Sequence, residues 1–311
     1  MPLTIASYNL CNLGVDTPPP RLARLAESIA TTLEGPAIVA VQEVTGSEPP
    51  DADGTVRADG SFRLLVGAIR DAGGPAYEWC EVAPRDGCDG GLAGANIRVG
   101  LLYDPARVEL VCRGRAGALD TTALQRWPEG IGLSLSPGRI EPRHPAFQGD
   151  PERHWAPSRK ALAAEFRVAG QPLFVVVCHL KSMRARTRRE EDYAKKQRHA
   201  QAELIHSFVA NLQRARPDAR VVVLGDMNDM LGSKTLKLLK GELLHNPLER
   251  LPRKDCYSRR HSGCPQSLDH ILLCRHLEAG ARIRLPHINS DAAPEERASD
   301  HDPVLAILDA L

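Results

Sequence analysis

Apolar residues fall in short runs of strand length at Leu3 to Leu10, Ile38 to Gln42, Val99 to Tyr103, Ala161 to Val168, Leu173 to Cys178, Val221 to Leu224, Leu268 to Cys274 and Val304 to Leu308. Between several of them the apolar positions recur at helical spacing: Arg21 to Leu33, Phe62 to Ala72, Thr187 to Leu212 and Ser233 to Leu239. The first of these follows Pro18-Pro19-Pro20, a stop that suits a helix start. Strands and helices interleave along the whole chain, which predicts an α/β fold. No linker, low-complexity tract or internal repeat interrupts the pattern, so residues 1–311 read as one domain. Pro49 to Gly60 and Gly114 to Pro157 lack either period and read as long surface loops.

Composition narrows the function classes. With 311 residues and 42% hydrophobic content the chain can bury a large core. Its formal charge of +1 gives no global attraction to polyanions, so any phosphate or nucleic-acid binding must come from local clusters. Aromatics are only 4%, which favours grip on a backbone over base stacking. The eight cysteines show no zinc spacing. Cys11, Cys112, Cys178 and Cys274 sit in or beside apolar runs and read as buried thiols, while Cys80 with Cys88 and Cys256 with Cys264 could each close a short loop or stay free. No stretch is long and apolar enough to span a bilayer. The start, Met1-Pro2-Leu3-Thr4-Ile5, reads as a strand and not a leader, so the expectation is a cytoplasmic protein, or a secreted one if a leader has been removed.

Candidate chemistry collects at strand ends. Asn9, Glu43, His179, Asp226 and Asn228 each follow an apolar run closely, while Asp269 and His270 open one and Asp300 and His301 precede the last. Taken singly, Asp and Asn commonly cap strands and begin turns. Turn-making would equally use Gly, Ser and Pro, so a set of carboxylates, carboxamides and imidazoles at one kind of position points instead to a hard cation and a phosphoryl group. Glu43 can ligate Mg²⁺ or Mn²⁺ with waters completing the shell, with Ca²⁺ a further fit, and Asn9 and Asn12 can add carboxamide groups near the same ion. Asp226 and Asn228, two apart, are expected to project the same way, one accepting a proton from water and the other orienting a phosphate oxygen. Adjacent residues on an extended segment point apart. The partner of His301 is therefore expected to be Asp269, leaving Asp300 to face the metal. His179, with Lys181 close behind, can donate to a phosphoryl oxygen.

Tyr8-Asn9, Gln42-Glu43-Val44, His179-Leu180-Lys181-Ser182, Gly225-Asp226-Met227-Asn228-Asp229, Leu268-Asp269-His270-Ile271-Leu272 and Ser299-Asp300-His301-Asp302-Pro303-Val304 together resemble the ordered motif set of the endonuclease/exonuclease/phosphatase (DNase I-like) superfamily. The resemblance implies a four-layer α/β sandwich, two central mixed sheets flanked by helices, with a metal at the strand ends and hydrolysis of a phosphoester by activated water. Carried over by position, Glu43 resembles the metal-binding glutamate and Asn9 the metal- or phosphate-contacting asparagine. Asp226 and Asn228 resemble the water-activating aspartate and its orienting asparagine, Asp269 and His301 the Asp–His pair, and His179 the phosphate-contacting histidine. Arg159, in Ser158-Arg159-Lys160, resembles an arginine that precedes a strand and grips phosphate. Motif matching leaves open whether Asp226 or His301 is the base. Tyr257-Ser258, Gly263, Pro286-His287-Ile288-Asn289-Ser290-Asp291 and Ser299 to Pro303 look most like secreted-type bacterial nucleases.

Residues 181 to 198 hold Lys181, Arg184, Arg186, Arg188, Arg189, Lys195, Lys196 and Arg198 against Glu190, Glu191 and Asp192. This run is either a solvated helix face or a phosphate-tracking strip that Lys234, Lys237 and Lys240 extend. The expected activity is a divalent-metal-dependent nuclease with a nucleic-acid substrate, DNA favoured over RNA, and no membrane or obligate protein partner. A phosphoesterase acting on a phospholipid head group, an inositol phosphate or another small phosphoester is the alternative, although no apolar hairpin or aromatic anchor marks a lipid enzyme. A catalytically dead binding module would lack a ligand, acid or base, and none of the expected positions is missing.

Overall fold

The computed structural model describes residues 2–142 and 156–309. In chain order its strands are β1 (Leu3–Leu13), β2 (Ile38–Val44), β3 (Glu78–Cys80), β4 (Arg98–Tyr103), β5 (Glu109–Val111), β6 (Leu124–Trp127), β7 (Gly130–Leu133), β8 (Gly138–Arg139) and β9 (Leu162–Val168). They continue with β10 (Gln171–His179), β11 (Arg220–Asp226), β12 (Leu244–His245), β13 (Arg259–His261), β14 (Cys264–Gln266), β15 (Asp269–Cys274), β16 (Arg282–Arg284) and β17 (Val304–Leu308). The helices are α1 (Pro19–Glu27), α2 (Asp59–Asp71), α3 (Arg188–Ala215), α4 (Lys234–Lys240) and the short α5 (Arg275–Glu278). No helix among the described residues is long and apolar enough to cross a membrane.

One sheet runs β16-β17-β1-β2-β4-β3, and the other β12-β15-β11-β10-β9-β5 with β8 against β9. Both are mixed: β1 and β2 are parallel, as are β10 and β11, while β17, β4, β9 and β15 pair antiparallel. Alternation along β1 explains the layering. Leu3 and Ile5 point into a core shared with the second sheet, whereas Ala6, Tyr8 and Leu10 point to α1 and α2. The far face of the second sheet is covered by Ala202, Ile205, Val209 and Leu212 of α3 and Leu236 and Leu239 of α4. Helices, sheet, sheet and helices therefore stack in the expected four layers.

The helix starts follow local chemistry. Pro19 opens α1, and Thr187 Oγ1 caps α3 by accepting from Glu190 N at 3.2 Å while the Glu190 carboxylate accepts from Arg186 N at 2.7 Å. The helix expected over Arg21 to Leu33 is α only to Glu27. A wider π turn covers Ser28–Thr32, closed by Leu33 N–H donating to Ser28 O at 2.9 Å. The expected loop from Gly114 to Pro157 holds a hairpin, β6 with β7, and the edge strand β8; its residues 143–155 lie outside the described ones. The hairpin was hidden because its strands are short and largely solvated, so neither has a clean apolar alternation. Pro49 to Gly60 is irregular until α2 begins at Asp59.

All eight cysteines are free thiols. Cys80 is buried on an edge strand while Cys88 is exposed, and Cys256 Sγ faces Leu248 O at 3.2 Å while Cys264 is exposed on β14, so neither short loop is bridged. Cys178 and Cys274 are buried as expected; Cys112 is exposed and Cys11 only half-buried, because each lies at or beyond a strand end where one face opens to solvent.

Gly225 sits in β11 directly opposite Cys178, at φ 140°, and a Cβ there would lie 1.9 Å from Cys178 O. Gly225→Ala would force apart the two strands that carry His179 and Asp226. We expect it to cost at least about 3 kcal/mol, or to prevent folding. An unchanged urea midpoint would show that the strands are not in this contact.

Candidate active site

The register of three neighbouring strands builds the floor of the site. His179 on β10 pairs with Asp226 on β11, and Asp226 pairs with Asp269 on β15, so three ionisable side chains form one row across the second sheet. The first sheet meets this row through Asn9, whose amide Nδ2 donates to Asp226 Oδ2 at 3.1 Å and to Glu43 Oε1 at 3.3 Å. Asp226 Oδ1 accepts from Asn228 N at 2.8 Å, and Asn228 Nδ2 lies 3.3 Å from Oδ2 while donating to Leu180 O at 3.1 Å. His179 Nε2 stands 3.4 Å from Asp226 Oδ2 and 3.8 Å from Glu43 Oε1.

Backbone irregularities aim these groups. Strict alternation would turn Glu43 to the helix face, but the β2–β4 register shifts between Gln42 and Val44, leaving Glu43 as a bulge residue at φ 60°. The β1–β2 register shifts between Asn9 and Leu13, where Cys11 and Asn12 have φ 49° and 56°, and Asn228 has φ 48°. Four non-glycine residues in left-handed backbone around one cleft represent strain concentrated at a site.

A second pair completes the arrangement. His301 Nδ1–H donates to Asp269 Oδ2 at 2.7 Å, and His301 Nε2 lies 4.0 Å from Asp226 Oδ2. Ser258 Oγ donates to the same Asp269 oxygen at 2.6 Å and accepts from Leu268 N and Asp269 N, so it fixes the carboxylate that faces His301. Ser299 Oγ donates to Asn9 O at 2.7 Å and accepts from His301 N, while Asn289 Nδ2 donates to His301 O at 2.7 Å. Ser258, Asn289 and Ser299 were visible in the sequence as parts of short motifs, but their holding roles depend on contacts between distant segments.

The remaining expected residues fall in two groups. Asn12, Arg159, Lys181 and Asp300 line the same cleft, of about 250 Å³, with Glu43, His179, Asp226 and His301, whereas Asn9 and Asp269 lie fully buried beneath it. Arg159 is buried, donates from one Nη to Leu180 O at 3.0 Å and leaves its Nε without a partner. Asp300 carries an ion pair to Arg259 at 2.7 Å, so its charge is already compensated and it is less suited to hold a metal than the sequence suggested. Asn9 likewise presents nitrogen, not oxygen, to the carboxylates, because its Oδ1 accepts from Cys11 N at 3.0 Å. Arg198, counted in the basic run, is buried; it donates to Lys181 O at 3.2 Å and lies 3.5 Å from Asp229, so it props the strand-end loop and is not free for phosphate.

Burial raises the Asp226 pKa, with Asp269 and Glu43 adding to the effect and His301 and the Asn228 N–H opposing it. Burial, then Arg159 and His301, hold the His179 pKa well below the ordinary range, so its imidazole is neutral near pH 7 and its buried Nδ1 has no partner. For His301 burial acts downward, but Asp269 and then Asp226 outweigh it and raise the imidazole to about 10. Hard-cation donors are present: Glu43 is partly exposed, aimed by its bulge, and has no Lys or Arg ion pair among the described residues. Asp226, Asp269 and His301 also bring ligand atoms within 4.8 Å of one another, but a cation there would have to displace the proton shared between Asp269 and His301.

A family model described as Endonuclease/Exonuclease/phosphatase family matches residues 6–301. Among solved structures the chain is similar to truncated Caenorhabditis elegans TDP2, with 15% identity, TM-score 0.61, and 100% of this chain and 98% of that one covered. It is also similar to D. rerio TDP2 complexed with single strand DNA product, at 16% identity, TM-score 0.57 and 99% of each chain. A mannosyl-6-phosphatase of Bacteroides thetaiotaomicron aligns at 17% identity, TM-score 0.58, over 99% of this chain and 100% of that one. These likenesses are of fold. No curated protein matches the sequence.

Because the folded pKa of His301 lies above its unfolded value near 6.5, the stability it contributes is complete below that pH and is lost as pH rises through about 10. In the metal-free protein we expect NMR to show the His301 imidazole protonated through neutrality. Asp269→Asn should bring its titration down sharply, because burial then meets less opposition. A wild-type His301 that titrates at its ordinary value would remove the pair.

Proposed function

The chain belongs to the endonuclease/exonuclease/phosphatase family, hydrolases acting on phosphoester bonds, and we propose that it is a divalent-metal-dependent nuclease that cleaves the phosphodiester backbone of DNA. The observation that carries this reading is the placement of Asp226: a buried carboxylate at the cleft floor, 3.4 Å from His179 Nε2 and 4.0 Å from His301 Nε2, where burial pushes its pKa up toward neutrality. A base with a pKa near the working pH is the efficient one for taking a proton from attacking water. On this reading the proton acceptor is Asp226 and not His301, whose imidazole Asp269 favours in its charged form.

Each other group follows from its position. Asn9 and Asn228 donate to Asp226 and hold its oxygens in place. The His301 imidazolium can stabilise negative charge that builds on the phosphoryl group, and neutral His179 can donate to an equatorial oxygen. Lys181, whose pKa is lowered by burial and then by Arg159 and Arg198, adds positive potential at the rim. A hard cation such as Mg²⁺ or Mn²⁺, held by Glu43 with water in its remaining positions, would supply Lewis-acid polarisation of a phosphoryl oxygen. Backbone contacts of this kind carry no base sequence, so little sequence preference is expected. The structural likeness to a TDP2 complexed with single strand DNA product supports a nucleic-acid substrate, while the likeness to a mannosyl-6-phosphatase makes a small phosphoester the competing outcome.

The test is incubation with supercoiled plasmid, single-stranded DNA, RNA and a sugar phosphate, in Mg²⁺, Mn²⁺ or EDTA. Nucleic-acid cleavage should require metal. Asp226→Asn, Glu43→Ala and His301→Ala should each lower turnover at least about a hundredfold. Since Asp226 must be ionised, turnover should fall on the acid side as its carboxylate takes up a proton, and the metal-free carboxylate, raised by burial, should titrate higher than the metal-loaded one. Near-normal activity of a variant strikes that residue from the machinery, and hydrolysis of the sugar phosphate alone replaces the nuclease.

A further inference from the structure

Beside the catalytic cleft lies a second hollow of about 610 Å³, formed by the segment between β10 and α3 and the first turns of α3. We propose that it is a phosphate subsite that holds the backbone of a nucleic-acid strand next to the scissile bond. The proposal rests on the nuclease reading and adds to it a second point of contact, and with it a polyanionic substrate.

The two hollows share a wall. Lys181, Ser182 and Arg184 face the catalytic cleft, while Met183, Ala185 and Arg186 face the neighbouring hollow, and Arg188 and Lys195 complete its basic side. Arg188 and Lys195 are seven residues apart on α3, which places them on one face two turns apart. The wall is anchored at its start. Lys181 N donates to Gln201 Oε1 at 2.8 Å, and buried Arg198 holds the Lys181 and Ser182 carbonyls. The cationic side chains thus extend from a fixed base beside the cleft.

Cations outnumber acids in this stretch, six to three between Arg184 and Lys196. Among the described residues Arg184, Arg186, Arg188, Arg189, Lys195 and Lys196 have no carboxylate within ion-pair distance; surface arginines elsewhere are paired in some cases, as Arg260 is with Asp291 at 3.1 Å, and unpaired in others, such as Arg63 and Arg126, so it is the density of cations beside the cleft that sets this stretch apart. Glu190 closes the helix cap on Arg186 N, while Glu191 and Asp192 border the hollow and offset part of the charge of Arg186, Arg188 and Lys195. A net positive stretch, continuous with a phosphoryl site, fits successive phosphates on one strand. A membrane surface fits less well, because no large exposed hydrophobic side chain lies in this stretch; among the described residues those that are exposed are Val15, Leu92 and Met230.

The test is binding, measured without metal so that it does not depend on turnover. A fluorescent single-stranded DNA of about 20 nucleotides is titrated with the wild type, with Arg188→Glu/Lys195→Glu, and with Arg63→Glu/Arg70→Glu, which makes the same charge change on exposed residues of α2, over about 50 to 200 mM salt. The subsite variant should bind at least about tenfold more weakly. Its salt slope should fall by about 1.4, at about 0.7 per lost contact, while the α2 variant stays within about twofold of wild type. Equal loss in both variants, no loss in either, or no wild-type binding overturns the subsite. Binding of the wild type to phosphatidylserine vesicles in place of DNA overturns it in favour of a lipid surface. If the subsite variant loses binding and Asp226→Asn retains turnover, the nuclease machinery is wrong and the subsite stands.

Discussion

The rest of the site depends on the burial of the Asp226 carboxylate. An ionised carboxylate away from water costs several kcal/mol unless donors and opposite charge surround it. Here the compensation comes from several segments: Asn228 donates from the turn that follows, Asn9 donates from the other sheet, and the His301 charge comes from the last loop. Meeting that requirement brings the ends of both sheets together at one point. It also leaves Asp226 incompletely compensated, so its pKa is raised, and the same burial is what the proposed role of proton acceptor rests on.

The two sheets make this convergence rigid. Their shared core runs from Leu3 and Ile5 through Val175, Val176 and Leu224 to the α3 and α4 side chains, and the strands leave it with polar ends all on one side. Against that base the chain can carry left-handed backbone at Cys11, Asn12, Glu43 and Asn228, each costing on the order of 1–3 kcal/mol. In return Glu43 turns from the helix face into the cleft. Strain sits where the chemistry is, and regular packing behind it holds it there.

Charge needed the same sorting. The basic run from Lys181 to Arg198 looks uniform in sequence, but α3 buries one side, so Arg198 joins Gln201 in propping the loop while Arg188 and Lys195 stay outside. Likewise Asp300 and Asp269 flank the same histidine, yet only Asp269 pairs with it, and Asp300 turns to Arg259. Identical residue types take opposite roles because the fold decides which are desolvated and which are paired.

By itself the sequence determined the elements and the inventory of the site. Periods of two and 3.6 are local, so β1, β10, β11 and α3 could be read from their own residues, and the polar residues at the ends of these runs marked where chemistry would collect. The family motifs carried the layer order with them. Only the tertiary structure decided that Asn9 is a donor to two carboxylates, that Ser258 holds Asp269, that the cysteines are unbridged, and that a short hairpin occupies a supposed loop. Those facts depend on bulges that break the local period and on contacts such as the one between Ser299 and Asn9, 290 positions apart, which no local pattern encodes.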